Sequence, residues 1–451
     1  MKKLLASLIV LSIFAAVLFA GDFAEYKLSN GIPVYAKKNT VNHIDSVCVV
    51  VKGGVHYYDK EYSGLENGLF KMMVKGSVRY SFEDLKDLKY ETGCSLKAVT
   101  GFEGSWLSLT TIDEYLPETL PVLLNGFTNP VYTESEFNKL TTENVERIQS
   151  MLNEPVDMAN YYARQLIFQN HEYATSPGVT PESVNNITIP AMKNHHAKIM
   201  DARRIYVVAI TNNDVSEYLP VLEKELGKIK AGSWPLKDET VAPVSIKKRP
   251  LVLTHGAAQG TGYFYRAFAA PSVTSDEYIP FLVARKIYDQ TMHNVLRAKY
   301  GMCYVAGNTD FGIVPNIGFE ILYRCNDPTD IKARVAEARN ITAEGKYILD
   351  VDKNGDYVLA DIEAGFEGFR NTQINALYGN YMTATGMAGL INESILMFGN
   401  PDGLENQLNQ ISKVTAEQVN QVFNKYFVTD QEFWFACVAP ECEEETEAIL
   451  R

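Results

Sequence analysis

Histidine is scarce in this chain of 451 residues: there are seven, and no two stand in the H-x-x-E-H or H-E-x-x-H spacing that puts two imidazoles on one helical face. That route to a zinc site is closed. Net basic charge is missing too. Fifty-five acidic side chains against 42 Lys and Arg leave −13, which argues against a nucleic-acid binder that works by neutralising phosphates. Beyond the first twenty residues no run is long and apolar enough to cross a bilayer. The six cysteines (Cys48, Cys94, Cys303, Cys325, Cys437 and Cys442) are too few to staple a chain of this size, which has a large core of its own, and they lack the close pairs of a zinc ribbon. Thirty Gly, 18 Pro and 11% aromatics are ordinary for a globular protein and exclude collagenous or disordered chains.

What is present begins with Lys2 and Lys3, an apolar run from Leu4 to Phe19, and the small pair Ala20-Gly21. That order is the pattern of a cleavable secretory leader, so residues 1–20 are expected to direct export to a bacterial periplasm or the outside of the cell. An uncleaved anchor is the alternative, because a run this short only just spans a bilayer. Export places the cysteines where disulfides persist. Cys303 and Cys325 flank two β-rich runs around the turn signal Gly312 to Asn316 and so could face each other across a hairpin; Cys437 with Cys442, and Cys48 with Cys94, are the other pairings.

The chain also repeats itself. At an offset of 227 residues, Ile187-Thr188 matches Val414-Thr415, Met192 matches Val419, Ile199 and Met200 match Tyr426 and Phe427, and Tyr206 and Val208 match Phe433 and Phe435. In each half a Thr precedes an amphipathic helix (189–200; 416–427), a polar link follows, and an apolar strand closes the unit (205–210; 433–438). Both halves begin with a strand, Ser46 to Lys52 or Gly262 to Ala269, followed by a helix, Gly64 to Val74 or Glu277 to Tyr288. The expected plan is therefore a leader (1–20), two homologous α+β domains (21–230 and 251–451) and a Pro- and Gly-containing linker (231–250). Each domain is expected to be a mostly antiparallel sheet covered on one face by helices.

The stretch YSGLENGLFKMMVKGS, Tyr62 to Ser77, resembles the zinc-site helix of the pitrilysin, insulinase and mitochondrial-processing-peptidase family, in which Gly-Leu opens a helix carrying H-x-x-E-H. Gly93 to Thr100, the helix end from Glu143 to Pro155, His171-Glu172-Tyr173, Thr180 to Val184, Leu296 to Tyr304 and Val414 to Val419 follow in the family's order and spacing, so the resemblance covers the mature chain. It implies two similar α+β domains. It also implies that Asn67, Phe70 and Lys71 occupy the positions of the first ligand, the general base and the second ligand, with Arg147 at the distant Glu, or Glu146 if the count slips by one. No imidazole remains there, and the Lys71 ammonium opposes a divalent cation, so zinc is not expected in this chain. The adjacent His195 and His196 point about 100° apart on a helix, too divergent to chelate one ion, and are expected to cap or pack it. His171 is expected to serve a turn.

In the second half, LRAKYGMCY from Leu296 to Tyr304 resembles the family's L-R-x-x-x-G-x-x-Y segment, which implies that Arg297 and Tyr304 contact substrate peptide. The Gly-rich loop that often precedes that segment is replaced by Asp289 to His293. A further cluster, Asp350, Asp352, Asn354, Gly355 and Asp356, fits the first seven positions of an EF-hand loop. The fit fails at Tyr357 and Val358, and Asp361 stands where Glu should close the loop, so calcium is a weak alternative to a solvated turn, which the family's pattern places between two helices. Family chains of this size include zinc-free subunits that supply the Arg and Tyr to a catalytic partner. The resemblance thus implies a non-catalytic subunit of an exported peptidase, paired with a catalytic chain or with itself, that helps enclose and orient peptide. A scaffold protein of an envelope complex is the second reading, and an active metallopeptidase with ligands from elsewhere the third.

Overall fold

The computed structural model describes residues 23–236, 246, 248–309, 316–326 and 329–451. The expected leader lies outside the described residues, as do Gly312 of the expected turn and residues 237–245 of the expected linker.

The N-terminal half runs β1 (Ala24–Lys27), β2 (Pro33–Lys38), β3 (Ile44–Lys52), α1 (Leu65–Met73), α2 (Phe82–Thr92), β4 (Ser95–Thr100) and β5 (Gly104–Ile112). It continues with α3 (Leu116–Thr128), α4 (Glu134–Asn153), α5 (Pro155–Ile167), α6 (Ile189–Ile199), β6 (Ile205–Thr211) and α7 (Val215–Leu226). The C-terminal half runs β7 (Leu251–Thr254), β8 (Gly262–Ala269), α8 (Tyr278–His293), β9 (Cys303–Thr309), β10 (Ile317–Cys325), α9 (Ile331–Ala343), β11 (Lys346–Val351) and β12 (Tyr357–Asp361). Then come α10 (Ile362–Tyr381), α11 (Ala384–Phe398), α12 (Gly403–Ile411), α13 (Ala416–Tyr426), β13 (Glu432–Val438) and α14 (Glu443–Leu450).

The repeat has a structural counterpart. α6 and α13 begin and end 227 residues apart, as do β6 and β13. Thr188 and Thr415 cap their helices alike, each side-chain oxygen accepting from the backbone N–H three residues on (3.3 and 3.2 Å). The six-stranded sheet is ordered β1-β2-β6-β3-β5-β4 and the five-stranded one β7-β13-β8-β10-β9. Each has one parallel pair, β2 with β6 and β7 with β13, the rest being antiparallel.

The chain divides into two compact units, but not at a single cut. The first takes the residues through Val145, Thr175–Glu239 and Gly379–Leu404; the second takes Glu146–Ala174, Thr240–Tyr378 and Glu405–Arg451. The halves thus exchange helices: α5 belongs with the second sheet and α11 with the first. In the first unit Cys48 and Val50 of β3 and Tyr206, Val208 and Ile210 of β6 bury against Ala384, Met387, Ala388, Ile391 and Ile395 of α11. On the opposite face Ser105 of β5 meets Glu66 of α1. The expectation of helices on one face is therefore corrected: β3 and β6 are covered on both, which is why they read as unbroken apolar runs. The second unit matches. Arg266 and Phe268 of β8 meet Phe427 at the end of α13, while Tyr265, stacked on Phe435 at 4.3 Å, directs its hydroxyl to Val156 O of α5.

Among the cysteine pairings, Cys303–Cys325 is bonded, joining partners in the β9/β10 ladder; Cys48, Cys94, Cys437 and Cys442 are free thiols.

Candidate functional site

α1 is held by packing. Leu65, Leu69, Met72 and Met73 are buried, and Gly68 lets α6 come so close that an added Cβ would stand 2.8 Å from Met192 Cε. Phe70, at the position implied for the general base, is 0% exposed and is a core side chain. Asn67 donates its amide N–H to Thr100 Oγ1 on β4 at 2.8 Å. Lys71 is half-buried and lines a cleft of about 230 Å³ with Ala98 of β4 and Glu136, Lys139 and Glu143 of α4. Lys139 and Lys75 both pair with Glu136, and the hydrogen bond from Lys139 is the main reason that its carboxyl is held below the usual range. α4 turns Glu136, Leu140 and Asn144 inward at i, i+4 and i+8, while Arg147 and Glu146 are exposed in the part of α4 counted with the second unit. The structure thus gathers Asn67, Phe70 and Lys71 on α1 and places Arg147 on α4, four residues beyond Glu143, which lines the Lys71 cleft. An engaged amide, a core phenyl and an ammonium do not fit zinc. Among the described residues no group of three or more His, Cys, Asp and Glu is arranged to hold a metal ion.

Beside these positions lies an arrangement that the sequence reading missed. Glu66 is 0% exposed, accepts from Ser105 Oγ, and has His195 Nε2 at 2.8 Å. Burial pushes its carboxyl up, but the hydrogen bond and charge of His195, the Ser105 hydroxyl and the charge of Arg204 outweigh burial and leave it below the usual range. Glu66 is therefore ionised at neutral pH, and Nε2 of His195 carries the proton. Close in sequence, His56 Nε2 stands 3.0 Å from Glu103 Oε2, both residues being buried. Arg204 is also buried, stacked 3.6 Å from the Tyr57 ring centre and donating to Lys52 O at 2.7 and 3.0 Å. A signal was there: Glu66 interrupts the apolar stripe of α1 and His195 that of α6, and a charge at a core position demands a partner. His195 is thus more than a cap or packing residue; His196 bonds Phe127 O at 2.9 Å, and His171 accepts from Tyr173 N at 3.0 Å within its turn.

In the second unit α8 passes into a π-helical turn, Asn294–Lys299, and Gly301 at φ 57° reverses the chain into β9. Arg297 Nη1 donates to Tyr304 O at 2.9 Å, and its guanidinium carbon lies 4.6 Å from the Tyr304 ring centre. Both are exposed, Tyr304 at 58%, so the pair forms a cationic and phenolic surface. Arg324 stands 5.9 Å from the same ring, beside the disulfide. Asp289 to His293 is the last turn and a half of α8 rather than a loop, and Asp289 accepts from the Asn308 backbone N–H at 2.6 Å.

The acidic cluster requires a correction. Asp352 to Asp356 turns between strands β11 and β12, not between helices, and the Asp352 carboxylate accepts the N–H groups of Asn354 (2.8 Å) and Asp356 (2.9 Å). That carboxylate serves its own turn.

Two family models match the chain: Insulinase (Peptidase family M16) over residues 34–176, and Peptidase M16 inactive domain over residues 186–346. The chain belongs to this insulinase-type peptidase family. A curated relative, the non-peptidase homologue YmxG of Helicobacter pylori, is 22% identical over 277 residues, 61% of this chain and 63% of that protein. The match therefore spans under two thirds of that relative's length. A protease from H. pylori superposes with a TM-score of 0.79 at 14% identity, covering 93% of this chain and 100% of the other. A chain of complex III2 from Candida albicans does so at 0.74 and 16% identity, covering 94% and 99%. At such identities the structural likeness speaks for the fold alone.

Proposed function

We propose that this chain is a zinc-free, non-catalytic member of the family that is exported, pairs with a catalytic chain of the same family and helps enclose and orient its peptide substrate. One observation carries the reading. α1 is tied to β4 through Asn67 and buries Phe70, at positions to which the resemblance assigns ligand and base, and the exposed Arg297–Tyr304 pair is assembled. A fixed guanidinium beside a phenol can hold a peptide carbonyl or carboxylate without any metal. The family model named for an inactive domain and the relative named as a non-peptidase support the same reading.

The test is a pair reconstituted with a family member from the same genome that carries an intact H-x-x-E-H. Arg297→Ala is expected to lower kcat/KM for peptide cleavage at least about tenfold, as loss of a charged hydrogen bond would, with the pair still assembling. Unchanged turnover would count against the role given to Arg297, and zinc with activity in the isolated chain would overturn the reading entirely.

A further inference from the structure

A second site, on the first unit, lies between α6 and the loop that follows β3. It is a cleft of about 310 Å³, within the size range of small-ligand sites. α6 turns His195 and Lys198 toward it, and the loop supplies Tyr57, Tyr58 and Tyr62, with Trp234 beside them.

The aromatic walls are fixed by one another. Tyr57 meets Trp234 edge to face at 5.6 Å, and Tyr58 meets the His195 ring the same way at 5.5 Å. Lys198 Nζ stands 4.5 Å from the Trp234 ring centre, held there by the ring face, and among the described residues no carboxylate pairs with it. His195 is 3% exposed and gives Nε2 to Glu66; among the described residues its other nitrogen, Nδ1, has no hydrogen-bond partner. His195 and Tyr58 both line the cleft. Asp59 shares the lining but is exposed to water, which weakens its repulsion of an anion.

An ammonium beside a trough of aromatic rings complements a ligand with a flat apolar body and a carboxylate. We propose that this cleft binds an aromatic carboxylate, whether a free acid or the C-terminal residue of a peptide, with Lys198 on the carboxylate and the tyrosines around the ring.

Titration calorimetry on the full mature chain tests this with four probes: 3-phenylpropionate, N-acetylphenylalanine, a pentapeptide ending in Phe, and the same pentapeptide as its C-terminal amide. Acids are expected to bind saturably and the amide at least tenfold more weakly. Lys198→Met, which keeps the aliphatic stem on Trp234, is expected to weaken the acids at least tenfold without moving the thermal transition, and Lys198→Arg to retain binding. Binding of the free acids would assign a small-molecule site, and binding of the peptide acid alone a site for peptide termini. Lack of saturable binding by every acid at millimolar concentration, equal affinity for acid and amide, or indifference to Lys198→Met would overturn the proposal.

Discussion

Replacing His195 by Phe keeps a ring in the space but leaves the Glu66 carboxylate, 0% exposed, with Ser105 as its remaining hydrogen-bond donor among the described residues. Removing the partner of a buried charge costs about 3–5 kcal/mol, because the carboxylate stays in the core without compensation. For a folding unit of roughly 150–250 residues each kcal/mol moves the melting temperature by about 2–4 °C, so His195→Phe is expected to lower the transition of the first unit by about 6–20 °C. Glu66→Gln retains shape and a hydrogen-bonding oxygen and is expected to cost less, about 1–3 kcal/mol. The double variant should then fall short of the sum of the two by at least about 1 kcal/mol, the signature of direct coupling. pH supplies an independent reading. Glu66 is held below the ordinary carboxylate range, so its stabilisation is present above about pH 4.3 and is lost as pH falls through the lower folded-state value. Glu66→Gln should flatten the acid limb of the stability curve. Calorimetry and urea unfolding followed by tryptophan fluorescence measure all of these. A His195→Phe transition within about 2 °C of the parent, or strict additivity in the double variant, would refute the reasoning.

Two further outcomes follow from the second unit. Arg266, 0% exposed, donates to Glu320 and Glu432 and to Phe427 O at 2.8 Å; burial already pushes the Glu320 carboxyl up, so Arg266→Met is expected to cost about 3–5 kcal/mol, and a parent-like urea midpoint would contradict it. The Cys303–Cys325 bridge spans 22 residues, so the double Ser variant should lose about 3 kcal/mol by loop entropy. Reductant should reproduce that loss in the parent and leave the double variant unmoved; a parent indifferent to reductant would argue against the bridge.

How much was legible depended on whether the signal was local. The repeated helix and strand announce themselves because a Thr cap, a 3.6-residue stripe and an apolar run are properties of neighbouring residues, and α6 and α13 keep the sequence offset at both ends. The residue types on α1 were legible for the same reason: Asn67 and Lys71 are four apart on one helix whatever surrounds them. The β11–β12 hairpin was misread because its Asp, Asn and Gly turn is equally suited to joining helices, and the register of Tyr347, Ile348, Tyr357 and Ala360 is visible only as a pairing. Glu66 and His195 each looked like a blemish in an apolar stripe, and 129 residues separate them.

The sequence by itself determined the two-part α+β plan, the caps and stripes of the repeated helices, and the side-chain chemistry that α1 carries, since residue identity and helical spacing settle these without distant contacts. Only the tertiary structure decided that α5 and α11 change places, that Glu66 and His195 meet in the core, and that Lys198 reaches over Trp234. Each of these depends on which buried surfaces and charges meet across long stretches of chain, and burial is a property of the assembled core rather than of any segment within it.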